Sequence, residues 1–292
     1  MADDYRQKGV SNEEIEQMVL RDIGNLLYSM GKDIKTFDLP DILGTDDMES
    51  LEQRELAEEM SIVLDKKDLE LYETLNNEQR FAFDEIMDHV LQKKSKVFFI
   101  DGPGGTGKTY LYRALLAKVR SIKLIAIATA TSGITASIMP GGRTAHSRFK
   151  IPINIQEDTM CNFSEQSGTA KLLNRASLII WDEVAMTKRH AVEALDRTLQ
   201  DITGHKLPFG GKVIVFGGDF RQVLPVVRRG TRAQIVDASI QKSYLWKDIK
   251  QIKLQRNMRG HNLIHGSPIF FSELAMVQKI QLEKTMYIYQ KR

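Results

Sequence analysis

One eight-residue segment constrains this chain more than any other. Residues 102–109 read Gly-Pro-Gly-Gly-Thr-Gly-Lys-Thr, a complete match to the phosphate-binding pattern G-x-x-x-x-G-K-[ST]. The apolar run 97–101 precedes this loop, and the run 110–118, with apolar residues at helical spacing, follows it. A strand, a glycine-rich loop and a helix in this order are the context that the motif requires. The alternative is an ordinary glycine-rich turn between a strand and a helix. The pattern predicts a chain that binds a nucleoside triphosphate, or that descends from one that did.

The residue types in this loop explain how it would hold phosphate. Its glycines let backbone N–H groups turn toward a pyrophosphate without Cβ clashes, and the following helix adds a positive dipole at its N-terminus. Lys108 is expected to reach the β- and γ-phosphates, and the Thr109 hydroxyl to bind Mg²⁺. The predicted nucleotide-binding residues of this segment are Gly102, Pro103, Gly104, Gly105, Thr106, Gly107, Lys108, Thr109 and Tyr110.

Composition places the chain among ordinary globular proteins. Its 292 residues leave room for one large domain, or for one domain and a smaller appendage. No apolar run approaches the roughly 18–20 residues of a membrane span, so no membrane partner is expected. The polar, acidic N-terminus is unlike a secretory signal. Cys161 is the only cysteine, which excludes an internal disulfide framework and a cysteine-based zinc cluster. An intracellular protein is the simplest interpretation.

Charge is distributed unevenly along the chain. Residues 1–71 contain 19 acidic and 8 basic residues, a net charge of −11, whereas residues 72–292 contain 19 acidic and 33 basic residues, a net charge of +14. A basic body suits a polyanionic partner, because neutralised phosphates dominate nucleic-acid affinity. A solvated surface with scattered lysines is the alternative.

The acidic N-terminal segment is predicted to be a helical appendage. A capped amphipathic helix is expected over 11–31, an acidic loop over 35–50 and a second helix over 50–63. The apolar stripe of the first helix must pack on the body or on a protein partner. A packing role without catalytic residues is the favoured interpretation of the whole segment 1–71.

From residue 72 onward, helical and strand patterns alternate. The strand candidates are mostly continuous apolar runs, which indicates burial on both faces of a parallel sheet. The predicted strands are 97–101, 124–129, 178–182, 213–217 and 250–254, and the predicted helices are 77–92, 109–120, 131–138, 169–175 and 188–203. This order predicts a doubly wound α/β domain, mainly parallel, with nucleotide at the carboxyl ends of its strands.

Two further strand ends carry residues suited to phosphoryl chemistry. An apolar strand runs into Asp182 and Glu183, where Asp182 can hold Mg²⁺ and Glu183 can deprotonate an attacking water. Two solvated acids that cap the next helix are the alternative. The strand at 213–217 runs into Gly-Gly-Asp-Phe-Arg-Gln, where Gln222 can hydrogen-bond both the γ-phosphate and the water. The paired acids favour hydrolysis over transfer to another acceptor.

Two other segments suggest a path for a nucleic acid. The segment 128–136 leaves a strand with clustered hydroxyls, and the loop 141–150 interleaves cations, a histidine and an aromatic ring. A structural role for His146 is an equal alternative. The predicted DNA contacts are Thr131, Ser132, Gly133, Thr144, His146 and Phe149.

Taken together, residues 72–259 resemble the Pif1 family of DNA helicases, the RecD-like branch of helicase superfamily one, and are similar to its plant and transposon-encoded members. The segments above resemble the family's motifs in order, and Leu-Asn-Asn-Glu-Gln at 75–79 resembles the adenine-reading Q motif. The resemblance implies a RecA-like domain in which Gln79 contacts adenine and Arg259 stabilises charge at the γ-phosphate. Lys108, Glu183, Gln222 and Arg259 would then be the catalytic residues.

The resemblance implies an enzyme that hydrolyses ATP with Mg²⁺, moves 5′→3′ along single-stranded DNA and unwinds duplex junctions. DNA repair, recombination, telomere maintenance or transposition in the nucleus would be its setting. Residues 260–292 match nothing in the family pattern, so a second RecA-like domain is expected to be missing and the chain to be truncated. Two alternatives stay open. One is a module that binds ATP and single-stranded DNA without turnover, and the other is an ATPase switch that meets a protein partner through residues 1–71.

Overall fold

Six parallel strands form one sheet within the part of the chain that the computed structural model describes, residues 55–227 and 229–258 with positions 16, 20, 37, 39 and 40. The strands are β1 (Lys96–Asp101), β2 (Ile125–Ala130), β3 (Arg143–Thr144), β4 (Ala176–Asp182), β5 (Val213–Gly218) and β6 (Ile249–Lys253). Their spatial order is β3-β2-β4-β5-β1-β6, with every neighbouring pair parallel. The phosphate-binding loop follows β1, which lies between β5 and β6. The loop therefore starts between the ends of these two strands, at Gly218 and Lys253.

Helices connect the strands and cover both faces of the sheet. They are α1 (Lys66–Thr74), α2 (Asn77–Leu91), α3 (Lys108–Ser121), α4 (Gly133–Ser137), α5 (Ala145–Arg148), α6 (Gly168–Arg175), α7 (Arg189–Thr203) and α8 (Arg232–Asp237). Short 3₁₀ segments lie at Val184–Met186, Pro208–Gly211, Ile240–Lys242 and Tyr244–Asp248. Among the described helices, none is long and apolar enough to cross a lipid bilayer.

The two cores follow from the alternation of side chains along each buried strand. On β1, Phe98 belongs to the core beneath α2 and α3, whereas Phe99 belongs to the core beneath α6 and α7. On β4, Ile180 and Trp181 divide between the two cores in the same way. Burial on both faces explains why these strands are continuous apolar runs, and it confirms the doubly wound arrangement.

The predicted elements of the domain are confirmed, and their ends differ from the structure by at most two residues. The predictions missed β3 and α5, which lie inside the segment expected to be a loop, as well as α1 and α8. The predicted boundary between residues 71 and 72 falls inside α1, which packs against α3 through the ion pair between Asp68 and Arg113. Within the second predicted helix, the described residues 55–60 are helical.

The remaining predictions for the N-terminal segment fall mostly outside the described residues. This applies to the helix over 11–31, apart from positions 16 and 20, which are helical. It also applies to the acidic loop over 35–50, apart from positions 37, 39 and 40, and to residues 260–292.

Candidate active site

The phosphate-binding loop connects β1 to α3 at the carboxyl edge of the sheet. Gly105 and Gly107 have φ values of +95° and +78°, in the left-handed region that favours glycine. A methyl group on Gly102 would lie 2.6 Å from the Thr106 hydroxyl oxygen. That hydroxyl donates to the Pro103 carbonyl at 2.9 Å and closes the loop on itself. Glycine is therefore required here by backbone conformation and by close packing.

Lys108 and Gln222 meet at this loop. Lys108 is the first residue of α3, and its ammonium group donates to the carbonyl oxygens of Gly102 and Pro103. Gln222 also lies beside the loop, where its Nε2 would be 3.7 Å from a methyl group on Gly104. The same Nε2 donates to Asp219 at 3.0 Å, which holds the amide beside the loop. The structure thus brings together two residues that are 114 positions apart in the chain.

Asp182 ends β4 and is buried at the same edge. One of its carboxylate oxygens, Oδ1, accepts the Glu183 backbone N–H at 2.9 Å. Burial raises the pKa of the Asp182 carboxyl to about 6, against the opposite effect of the Lys108 ammonium. A buried carboxylate with a raised pKa beside a phosphate loop is typical of a functional site.

Glu183 has a left-handed backbone conformation, with φ of +58°. Non-glycine residues seldom adopt this conformation, and such strain clusters at functional sites. Its carbonyl accepts the Thr131 hydroxyl at 2.9 Å, which fixes the strained peptide. Its side-chain Oε2 is buried and has no hydrogen-bond partner among the described residues. This carboxylate oxygen is therefore available to a ligand or a water molecule.

These residues fit a bound Mg²⁺ ion. Magnesium prefers oxygen ligands and usually keeps several waters while it binds one or two carboxylates and substrate phosphates. Asp182 offers a buried carboxylate, Thr109 follows Lys108 in the first turn of α3, and the unpaired oxygen of Glu183 lies next to Asp182 in the chain. Asp182 and Thr109 would hold the ion, and the ion would neutralise charge on the β- and γ-phosphates.

Gln79 is fully buried, and its side-chain amide is bonded on both sides. Its Oε1 accepts the Asn76 backbone N–H at 3.0 Å in a capping box at the start of α2. Its Nε2 donates to the Thr106 carbonyl at 3.0 Å and to the Gly107 carbonyl at 3.4 Å. Gln79 therefore braces the phosphate loop, and its predicted contact with adenine stays a prediction. Nearby, the Tyr110 hydroxyl lies 2.5 Å from the Thr74 hydroxyl.

The segment after β6 also lies against the phosphate loop. The Met258 backbone N–H donates to the Gly105 carbonyl at 2.8 Å. The Glu78 carboxylate accepts the backbone N–H groups of Gln255 at 2.7 Å and of Arg256 at 3.2 Å. Arg259 lies outside the described residues, so its predicted role at the γ-phosphate stays a prediction.

The predicted DNA contacts lie at the ends of β2 and β3, beside the nucleotide residues. Thr144 pairs with Ala130 across the two strands, and its methyl carbon would lie 3.8 Å from a methyl group on Gly133. Ser132 and Thr144 cap the short helices α4 and α5 with their side chains. We call Thr131, Ser132, Gly133, Thr144 and His146 the β2–β3 edge.

Thr131 has an internal role that the sequence did not predict. Its hydroxyl accepts the Trp181 indole N–H at 3.1 Å, donates to the Glu183 carbonyl and lies 2.8 Å from the Thr187 hydroxyl. Its backbone N–H donates to the Asp182 carbonyl at 3.0 Å. Thr131 thus ties the end of β2 to the peptide that carries the two acids. Only the clustering of hydroxyls after an apolar strand hinted at such a residue.

Two predicted contacts in the following loop differ in exposure. His146 is exposed. Phe149 is fully buried in the core beneath α6 and α7, where its ring lies 5.6 Å from that of Trp181. A ring without exposed surface cannot stack on a base, so its burial removes Phe149 from the candidate DNA contacts.

A parallel, doubly wound sheet with a phosphate loop, an acid pair at a strand end and a glutamine beside the loop is the arrangement of a RecA-like P-loop domain. Comparison with known families specifies it further. The model of the PIF1-like helicase family matches residues 74–267, about two thirds of the chain. The chain belongs to this family.

Curated relatives match over a limited part of their length. The chain is 31% identical over 212 residues to the ATP-dependent DNA helicase PIF1 of Trypanosoma brucei brucei, across 72% of this chain and 19% of that protein. It is 31% identical over 140 residues to the ATP-dependent DNA helicase Pif1 of a Psychrobacter species, across 47% of this chain and 21% of that protein. The chain therefore spans about a fifth of the length of these relatives.

Solved structures of the family share the fold. A Bacteroides Pif1 bound to single-stranded DNA has a TM-score of 0.51 and 27% identity, over 68% of this chain and 44% of that one. Pif1 helicase from Candida albicans has a TM-score of 0.53 and 27% identity, over 63% of this chain and 40% of that one.

Proposed function

We propose that this chain is the nucleotide-binding motor domain of an ATP-dependent DNA helicase that moves 5′→3′ along single-stranded DNA and unwinds duplex junctions. The observation that carries the proposal is the meeting of Lys108, Asp182, Glu183 and Gln222 at the carboxyl ends of neighbouring strands. Structures of Bacteroides Pif1 with single-stranded DNA, and with ADP-AlF3 and single-stranded DNA, support the proposal.

Each residue has a defined role in the proposed hydrolysis. Lys108 binds the β- and γ-phosphate oxygens, and Thr109 and Asp182 would hold Mg²⁺, which would neutralise phosphate charge. Glu183 accepts the proton of the attacking water through its unpaired carboxylate oxygen as the water oxygen bonds to the γ-phosphorus. The bond from that phosphorus to the ADP oxygen breaks, which releases ADP and phosphate. Gln222 orients the water, and Arg259 stabilises the charge on the transferred group.

The β2–β3 edge is the proposed path of single-stranded DNA. It includes Thr131, whose hydroxyl bonds to the Glu183 carbonyl. Single-stranded DNA that binds to this edge would shift the peptide of Glu183, the proposed general base. This contact gives a physical route by which DNA could stimulate turnover. The positive charge of residues 72–292 favours a polyanion.

Mg²⁺-dependent ATP hydrolysis with and without single-stranded DNA tests this proposal, with Lys108→Ala and Glu183→Gln as controls. We expect turnover that DNA stimulates and that both substitutions abolish. Binding of ATP and DNA without turnover would contradict the proposal and indicate a binding module. An ATPase switch would give a different result. Its turnover would not respond to DNA, and residues 1–71 would bind a protein partner.

The cellular setting is a separate part of the proposal. DNA repair, recombination or telomere maintenance in the nucleus would suit a helicase of this type. Imaging of the tagged full chain in its native cell tests the location, and exclusion from the nucleus would contradict it.

A further inference from the structure

One buried tyrosine beside the acid pair has no role in the mechanism above. Tyr112 lies on α3, one turn after Lys108, and its side chain is fully buried in the core beneath α2 and α3. Its hydroxyl oxygen has no hydrogen-bond partner among the described residues. A buried hydroxyl without a partner is costly, so such a group in a native fold calls for a ligand or a functional reason.

The Tyr112 hydroxyl lies close to the Asp182 carboxylate. A methyl group on Gly217 would lie 2.0 Å from the Tyr112 hydroxyl oxygen and 2.4 Å from Asp182 Oδ1. The two oxygens therefore lie at most about 4.4 Å apart, in the space that a side chain at residue 217 would need. A tyrosine hydroxyl carries its proton at neutral pH and is therefore a hydrogen-bond donor.

We propose that Tyr112 is a positioning residue for Asp182, and that its hydroxyl donates a hydrogen bond to the Asp182 carboxylate when Mg²⁺ and nucleotide bind. The Asp182 oxygen Oδ1 already accepts the Glu183 N–H, and a second donor on this carboxylate fixes its orientation. Partners of this kind orient metal-binding carboxylates and sustain metal affinity. This inference rests on the proposed function, since it concerns the metal of that same site.

A packing role alone makes a different prediction. The Tyr112 ring lies in the core, and Tyr112→Phe keeps the ring while it removes only the unpaired hydroxyl. If the hydroxyl had no partner in the working site, its loss would leave metal affinity unchanged and leave the melting temperature equal or higher. The matched control is Tyr244→Phe, because the Tyr244 hydroxyl donates to the Asp196 carboxylate at 2.6 Å, away from the nucleotide residues.

The test is the Mg²⁺ dependence of nucleotide binding in the full chain, measured by fluorescence of a labelled ATP analogue, with EDTA for the metal-free value. For Tyr112→Phe we expect the Mg²⁺ concentration at half-saturation to rise about tenfold, with metal-free binding unchanged. Tyr244→Phe should leave both values unchanged. In an Asp182→Asn background, Tyr112→Phe should have no further effect, because the hydroxyl acts through Asp182.

An unchanged Mg²⁺ dependence in Tyr112→Phe would overturn the inference, as would an equal additional effect in the Asp182→Asn background. Failure of the proposed function has distinct results. A chain without a nucleotide site would bind no nucleotide with or without Mg²⁺. A binding module would bind Mg²⁺ and nucleotide without turnover, and the comparison of Tyr112→Phe with the unsubstituted chain would still decide this inference.

Discussion

Two neighbouring regions of the same sheet edge differ in whether their polar side-chain groups have hydrogen-bond partners within the protein. Around the phosphate loop, the Glu183 carboxylate and the Tyr112 hydroxyl each have a buried oxygen without a partner among the described residues. At the β2–β3 edge, the hydroxyls of Thr131, Ser132 and Thr144 bond to groups of the protein itself. The first region is prepared for a ligand with many hydrogen-bonding atoms. In the second region these hydroxyls already bond within the protein, so the region offers a ligand mainly a preformed surface.

This difference suggests how the two ligands are recognised. A nucleotide and its metal complete a set of buried groups, so single substitutions there should have large effects on binding or turnover. A DNA backbone on the β2–β3 edge would contact a preformed surface, so single substitutions there should have small effects. The predictions below compare the two regions, in order of expected effect.

The largest expected effect is the loss of turnover in Glu183→Gln. The substitution removes the general base, so kcat should fall by about 10²- to 10⁴-fold while nucleotide affinity changes little. Steady-state hydrolysis and equilibrium binding measure the two quantities separately. Glu165→Gln, on the exposed surface, is the matched control and should retain full turnover. Equal rates for the two variants would show that the acid pair has no catalytic role.

Next in size is the loss of stability in Glu59→Ala. The buried Glu59 carboxylate accepts from Arg120 at 2.8 Å and from Arg148, beneath the β2–β3 edge, at 2.7 Å. Its removal leaves two buried guanidinium groups short of a partner, which should lower the free energy of unfolding by about 3–5 kcal/mol. Urea denaturation measures this change.

The control for this prediction is Glu58→Ala, whose ion pair with Arg143 is exposed. An exposed pair contributes at most about 1 kcal/mol, so this variant should remain close to the original stability. Similar losses for both variants would contradict the structural assignment of Glu59.

A smaller effect is expected for Thr131→Val. The substitution keeps the shape of the side chain and leaves the Trp181 indole N–H and the Glu183 carbonyl without the hydroxyl. The free energy of unfolding should fall by about 1–3 kcal/mol, and stimulation of turnover by DNA should weaken. Thr131→Ser retains the hydroxyl and should restore both properties. If DNA stimulated turnover normally in Thr131→Val, the β2–β3 edge would not transmit DNA binding to the acid pair.

How far the sequence predicted these two regions depends on what each feature requires. Phosphate chemistry restricts residue type and spacing, so the positions of Lys108, Asp182 and Glu183 at strand and helix ends could be read from local pattern. The partners of Thr131 lie about 50 residues away, and no local pattern reports them. The strand β3 has only two residues and no apolar run, so hydrophobic periodicity could not detect it.

Burial of single side chains in loops was equally hard to predict. Phe149 follows two cations and a histidine, a composition typical of a nucleic-acid surface, yet the fold turns its ring into the core. Tyr112 belongs to the apolar stripe of α3, and its hydroxyl becomes informative only in the fold, where Gly217 and Asp182 lie beside it.

The smallest expected effect concerns DNA binding itself. His146→Ala should lower the affinity for single-stranded DNA by about 5- to 10-fold, through loss of one exposed stacking or phosphate contact. Phe149→Leu should leave this affinity unchanged and cost about 1 kcal/mol of stability, since the ring is buried. Fluorescence anisotropy at one fixed salt concentration measures both affinities. If Phe149→Leu, while still folded, lowered the affinity for single-stranded DNA more than His146→Ala does, the proposed DNA path would be wrong.

The central claim is that the described residues form a complete phosphate and metal half-site. Equilibrium binding of a fluorescent ATP analogue to the 292-residue chain, with competition by ATP, tests it most directly. The account predicts saturable binding that Mg²⁺ strengthens and that Lys108→Ala weakens at least about tenfold. Absence of binding by the unsubstituted chain, or equal binding by Lys108→Ala, would contradict it.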